Sequence, residues 1–256
     1  MRSPTQYPLA KDVVRWQGEP VAVVVANKRA VAEDALELVE IDYEDLDAQL
    51  DMETAMDKST KVIHDDLGNN LFWTRTVNQG DVIEAFKQSH IVEEVTLDFA
   101  RHTGVTLETR AIVADWDSSE ERMTIYHNGQ APHMMQSIIA KHLNISEGLV
   151  RIISCDVGGS FGIKVHVYPD EMVTVAVSKL LKRPVKFVAD RLESYSTDIH
   201  SRCHKISGKI GVDDKGKILA FELDDLSGIG PFSVYPRTSA IETNQVLNLS
   251  AASYVV

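Results

Sequence analysis

The spacing of apolar residues along this chain changes several times, and each change predicts an element. "EPVAVVVA" (19–26) is a short β-branched run introduced by Pro20 and reads as a buried strand. "KRAVAEDALELVE" then places Val31, Ala35, Leu38 and Val39 at helical spacing, and "VEIDYEDL" alternates like a strand. Residues 44–70 are acidic, polar and weakly patterned, as a connection between domains would be. Patterning resumes with "LFWTRTV" as a strand. Asp81 and Glu84 form a capping-box pattern ahead of a short helix, "VIEAFKQS". "HIVEEVTLDF" (90–99) predicts a strand, and "RAIVADWDSSEERMTIYH" a hairpin turning at "DSSEE".

"APHMMQSIIAKHLN" predicts a helix with Pro132 in its first turn and Asn144 at its end. Its apolar face is Met134, Met135, Ile138, Ile139 and Leu143, which reads as core packing. "GLVRIIS" follows as a strand. "DEMVTVAVSKLLKRP" is a helix with Asp170 as the expected N-cap and Pro184 as terminator. "VKFVAD" is a strand, and "KISGKIGV" and "KILAFELDDL" make a hairpin around "DDKGK". The final run, "NQVLNLSAASYVV", looks strand-like. The mixture is α+β, with helices packed on strand pairs and no internal repeat.

Composition narrows the function. The 256 residues suffice for one large or two modest domains. A formal charge of −12 argues against nucleic acid and anionic membranes as partners. The two cysteines, Cys155 and Cys203, form no secreted disulfide framework, so a reduced, cytoplasmic setting is expected. No apolar run approaches the roughly 20 residues that span a bilayer, and the first residues lack a signal-peptide core.

The chemistry concentrates in "DVGGSFGIK" (156–164). A phosphate loop would use such bare backbone, but the spacing from Gly158 to Lys164 fits no P-loop and no dinucleotide fingerprint. Gly158-Gly159-Ser160-Phe161-Gly162 matches the G-x-S-x-G of a serine hydrolase, with Asp198, His200 and His204 downstream as triad partners. The element after that serine, "IKVHVYPDE", contains Pro169 and β-branched residues, so no helix starts at once as a nucleophile elbow requires. A third possibility is a loop offering backbone donors to a cofactor's polar atoms, with Phe161 as a wall. Composition does not choose among the three. His200, Cys203 and His204 read as a solvated strand end before a metal cluster, and Cys155 as a buried small residue.

Several ordered blocks accompany the loop. These are "LETRAIVADWD" (107–117), "NGQAPHMMQSIIAKHL" (128–143), "VGGSFGIKVHVYPDE" (157–171), "RPVKFVADRLE" (183–193) and "GKIGVDDKGKILAFE" (208–222). Together they resemble the molybdopterin-binding large subunit of the xanthine dehydrogenase/aldehyde oxidase family of molybdenum hydroxylases, nearest to the carbon monoxide dehydrogenase branch. "VVRWQGEPVAVVVANKRAVAEDALELVEIDYEDL" (13–46) resembles the end of that family's a/b hammerhead domain. The resemblance implies a hammerhead remnant over 1–55, a linker over 56–70 and the first part of a molybdopterin-binding domain over 71–256. It also implies a molybdenum–molybdopterin cofactor, expected as the cytosine dinucleotide, with iron–sulfur clusters and FAD on partner subunits.

Carried over to this chain, the resemblance makes Gln130 the amide that hydrogen-bonds an oxygen on molybdenum, and Gly159, Ser160, Phe161 and Gly162 the loop against the cofactor. Ser160 departs from the glycine usual there. Lys164 fits the pattern without an assigned role. Val165 stands where purine-oxidising members carry a glutamate, which disfavours purine oxidation because valine forms no side-chain hydrogen bond. Glu108 and Arg110 read first as structural ion-pair residues. No direct metal ligand is expected, and the general-base glutamate is expected outside these residues, so the chain reads as a fragment or split half needing the remainder of the subunit. Aldehydes, aromatic heterocycles, carbon monoxide and acyl thioesters remain open as substrates. A serine hydrolase using Ser160, or a noncatalytic assembly module, stands as the alternative.

Overall fold

A computed structural model describes residues 4–250. Its strands are β1 (Ile91–Phe99), β2 (Ala111–Asp117), β3 (Arg122–His127), β4 (Val150–Ile153), β5 (Val185–Val188), β6 (His204–Val212) and β7 (Ile218–Ser227). Its α-helices are α1 (Arg29–Leu36), α2 (Val82–Gln88), α3 (Pro132–Leu143), α4 (Pro169–Leu181), α5 (Arg191–Thr197) and α6 (Ala240–Leu249). The architecture is α+β and falls into two compact units.

One unit combines residues 5–46 with 103–199. Its four-stranded sheet has the order β4-β3-β2-β5; β3 and β4 run parallel and the other pairs antiparallel. The parallel pair needs a crossover, and α3 supplies it. β2 and β3 alternate buried and accessible residues, as half-covered strands should. Ile112, Ala114 and Trp116 of β2 and Met123 and Ile125 of β3 meet Met135, Ile139 and Ala140 of α3 and Val175 of α4 in one core. Truncating a residue such as Ile125 or Ile139 to alanine is expected to cost about 2–5 kcal/mol.

The other unit combines residues 47–102 with the stretch from His200 onward. It holds an antiparallel sheet of order β1-β6-β7, with Ile91 opposite Val212 and Phe99 opposite His204. The β6–β7 turn is closed by Asp213, whose carboxylate accepts the N–H of Lys215 and Lys217, while Gly216 supplies a φ of +80°. Asp81 caps α2 by accepting the N–H of Glu84 at 3.0 Å. β1 is exposed along its whole length.

The structure corrects several expected elements. Residues 19–26, 39–46 and 71–77 are not strands, because among the described residues no neighbouring backbone forms a ladder with them; Ala10 N–H donates to Pro20 O at 2.7 Å, but that bond does not continue into a strand pair. Val23, Val25, Ile41 and Tyr43 are accordingly exposed. Asp170 is not the N-cap of α4. Tyr168 takes that place, Pro169 occupies the first helical position, and Glu171 reaches back to the Tyr168 N–H at 3.3 Å. Residues 244–249 of the expected terminal strand are the second half of α6, and 251–256 lie outside the described residues.

Candidate functional site

The glycine-rich loop leaves β4 and runs to a single 3-10 turn at Ile163–Val165. Three of its residues have positive φ: Gly159 (+97°), Phe161 (+49°) and Gly162 (+89°). A non-glycine residue held there costs free energy, and Phe161 is also 80% exposed, so neither local preference nor burial explains its conformation. The loop's ends are fastened. Gly159 N–H donates to Val157 O at 2.9 Å, Ile163 N–H to Ser160 O at 2.9 Å, and the Tyr168 hydroxyl to Ile163 O at 2.9 Å. Among the described residues, nothing accepts the N–H groups of Ser160, Phe161 and Gly162. The loop therefore presents a run of free backbone donors beside an exposed ring.

Gln130 lies against this loop. Its N–H donates to Lys164 O at 3.1 Å, and its side-chain oxygen accepts from the Ser160 hydroxyl. That contact consumes the amide oxygen and leaves the amide N–H₂ as a donor. Gly129 makes the approach possible, because a Cβ there would lie 2.3 Å from the His127 ring. Gln130, Gly159, Ser160, Phe161 and Gly162 thus come together on one surface of the unit formed by 5–46 and 103–199.

The charges behind the surface are paired. Lys164 is buried, and its ammonium donates to Glu108 Oε2 at 2.6 Å; the same oxygen accepts the Gly158 N–H at 2.8 Å. Burial works against the Glu108 charge, but these hydrogen bonds outweigh it and hold the carboxyl below the usual range. Arg110, 1% exposed, donates to Asp198 at 2.7 Å and to both oxygens of Asp170 at 2.6 and 2.8 Å, and lies 3.7 Å from the centre of the Tyr168 ring. Burial opposes the guanidinium's charge, yet the carboxylates raise its affinity for the proton. Burial raises the Asp170 carboxyl and the Tyr168 phenol. Burial also pushes against the Glu171 charge, but His127, at 3.1 Å, and Arg110 bring that carboxyl below its ordinary value.

These partners do not favour the serine reading. The Ser160 hydroxyl donates to an amide oxygen, not to an imidazole. Asp198 is held by Arg110, and His204 pairs with Asp225 at 2.8 Å. A triad needs its base on the nucleophile and its acid on the base, and these contacts provide neither link.

Two other expectations change. Cys155 is exposed rather than buried, because it follows the end of β4 at a 260 Å³ cavity shared with Glu108, Asn128 and Asp156. His204 is no solvated strand end: it is buried, with Asp225 on one ring nitrogen and Glu242 at 3.5 Å from the other. Among the described residues no three His, Cys, Asp or Glu side chains gather to hold a metal ion. Asn128 escaped notice in the sequence although it bridges strand ends, accepting the Ala111 N–H and donating to Thr109 O.

A molybdopterin group would need neutral donors for its oxygens and room beside bare backbone. The free N–H groups at 160–162, the Gln130 amide and the open space that a Cβ at Gly162 would meet fit that need.

Comparison with known proteins agrees. Residues 63–256 match the molybdopterin cofactor-binding domain, and residues 1–47 match the aldehyde oxidase and xanthine dehydrogenase a/b hammerhead domain. The chain is 34% identical over 255 residues to the nicotine 6-hydroxylase large subunit of Paenarthrobacter nicotinovorans, covering 96% of this chain and 31% of that protein. It is 30% identical to the carbon monoxide dehydrogenase large chain of Hydrogenophaga pseudoflava, covering 88% and 30%. Quinoline 2-oxidoreductase from Pseudomonas putida 86 superposes with a TM-score of 0.93 at 29% identity, covering 97% and 31%. The chain therefore spans about 31% of the length of the first of these relatives. It belongs to the xanthine dehydrogenase/aldehyde oxidase family of molybdenum hydroxylases, as a part of the molybdopterin-binding large subunit.

Proposed function

We propose that this chain forms the face of a molybdopterin site that meets the oxygens on molybdenum, within a cytoplasmic molybdenum-dependent oxidoreductase. The observation that supports it is the set of free N–H donors at Ser160, Phe161 and Gly162 beside the amide N–H₂ of Gln130. Gln130 and the loop donors orient the cofactor, and the Phe161 ring walls the site. When bound, the cofactor supplies two-electron oxidation of the substrate, with the protein contributing position and electrostatics. We take the cofactor to be the cytosine dinucleotide form, with electrons leaving through iron–sulfur and FAD subunits. The general-base glutamate and most of the pterin enclosure are assigned to the rest of the large subunit or a split-subunit partner.

The substrate class is an aldehyde, an aromatic heterocycle or carbon monoxide. Val165 is buried in the 3-10 turn, which offers no side-chain hydrogen bond to a purine. The test is the molybdenum content of the native assembly captured through this chain. One metal per chain is expected. An intact, folded assembly without molybdenum would sink the proposal.

A further inference from the structure

We propose that Glu108 is the positioning residue of the glycine loop, clamping both of its ends through one carboxylate oxygen, with buried Lys164 as counter-charge. It rests on the cofactor reading above only for what the loop is positioned toward. Glu108 Oε2 accepts the Gly158 N–H at the loop's entry and the Lys164 ammonium at its exit. The Glu108 N–H also donates to Gly158 O at 3.2 Å, so the entry is held at both of its backbone groups. Glu108 is itself fixed, its carbonyl accepting the Thr106 hydroxyl at 2.6 Å. A Cβ at Gly158 would lie 2.5 Å from the Glu108 Cβ, so the loop backbone can reach the carboxylate only through glycine.

The exit is linked to the second half of the site, because the Lys164 carbonyl accepts the Gln130 N–H. One ion pair thus sets the opening of the loop and its distance from Gln130. The segment between the clamped ends holds the positive-φ residues and the free donors, which local sequence preference alone does not keep in place. Lys164, 3% exposed as a residue, is closed off from an external anion, so its charge serves the loop's geometry.

The test uses the native assembly carrying Glu108→Ala, the double change Glu108→Ala with Lys164→Met, and Glu108→Gln. The double variant avoids stranding a buried ammonium, so a fold failure of the single variant does not end the test. Amide hydrogen exchange is followed in cofactor-stripped protein, with β2 and β3 as the internal report of folding. Gly158 and Ile163 should exchange at least about tenfold faster in the double variant while β2 and β3 stay protected. Glu108→Gln, which keeps an acceptor, should fall between. Molybdenum per chain should drop in the same order. Wild-type exchange at Gly158 and Ile163 in the double variant would overturn the clamp. Faster exchange with molybdenum content, KM and kcat all unchanged would overturn its positioning role. A wild-type assembly lacking molybdenum, with the exchange contrast intact, would sink the cofactor reading and leave the clamp standing.

Discussion

Replacing Arg110 by methionine should open the sheet that carries the site, by an amount the contacts allow to be bounded. The guanidinium is 1% exposed, bidentate to Asp170, bonded to Asp198 and Thr197, 3.7 Å from Glu171 and stacked on Tyr168. Methionine refills much of the volume but leaves Asp170, Asp198 and Glu171 without that cation. Removing one partner of a buried pair costs about 3–5 kcal/mol, because the other charge is left uncompensated. Core amides in β2 should then exchange roughly a hundred to a few thousand times faster, at tenfold per 1.4 kcal/mol. The sign of the pH dependence follows. Without Arg110 burial acts less opposed on Asp170 and Glu171, so the Asp170 value, already raised, climbs further and Glu171 loses one of the charges that hold it down, which costs stability at high pH and ceases to cost it as pH falls through the raised values. The deficit should be larger at about pH 8 than at about pH 5, and Asp170→Asn in the same chain should recover part of it. Hydrogen exchange of β2 and β3 at both pH values is the assay. A deficit below about 1 kcal/mol, in the range of an exposed pair, or one equal at both pH values, would refute the view of Arg110 as the charge that holds these carboxylates.

Three further outcomes are expected. Gly129→Ala forces a Cβ into the His127 ring and should destabilise by about 1–3 kcal/mol, as overpacking does; its distinguishing sign is a Gln130 N–H that loses its protection. His204 titrates above the ordinary histidine value, chiefly through its hydrogen bond to Asp225, with Glu242 adding and burial opposing. Its stabilisation is therefore full below the unfolded value of about 6.5 and lost as pH rises through the folded one. Exchange at β6 and β7 should quicken over that rise in wild type, and His204→Gln should remove the dependence. Ser160→Ala should leave turnover within a few-fold, and the wild-type assembly should not be labelled by fluorophosphonate probes, whereas loss of a nucleophilic serine would lower activity by orders of magnitude.

What was legible in the sequence follows from where its signals are local. The β2–β3 and β6–β7 hairpins and helices α3 and α4 carry strong periods and punctuation, and they form as expected. The β-branched run at 19–26 and the alternation at 39–46 suit a strand, but a strand also needs a ladder with a neighbouring backbone, which no local pattern reports. The opposite error concerns α5. Asp190 and Glu193 form a reciprocal capping box, at 2.8 and 2.6 Å, and that D-x-x-E spacing was readable in "ADRLE". α6 was obscured because "NQVLNL" is apolar enough to resemble a strand, although its helix also draws on the less apolar residues before it. Cys155 and His204 show the limit for burial: exposure depends on what packs alongside, and for His204 the partners, Asp225 and Glu242, are distant in sequence.

The pairing of charges also gives a physical reason, beside the spacing, against an anion cradle at the glycine loop. A glycine run ending in lysine suggests an anion cradle, in which the lysine would supply the charge. Here that charge is already spent inside the fold, on Glu108. Arg110 is likewise committed to Asp170 and Asp198, and Glu171 accepts from His127. What residues 159–162 and Gln130 present is neutral, namely backbone N–H groups, one amide N–H₂ and an aromatic ring, while the charges at the loop's entry, Asp156 and the part-exposed Glu108, are negative. Neutral donors favour oxygen atoms without demanding a full negative charge, and their strength depends on being held in place before the ligand arrives. The buried ion pairs therefore act upstream of recognition. A free phosphate, which rewards an available cation, should bind this loop poorly, and phosphate titration of cofactor-free protein should leave the Gly158 to Ile163 amides unshifted. Saturable shifts there would mean that Lys164 is released on binding, and the loop would have to be read as an anion cradle after all.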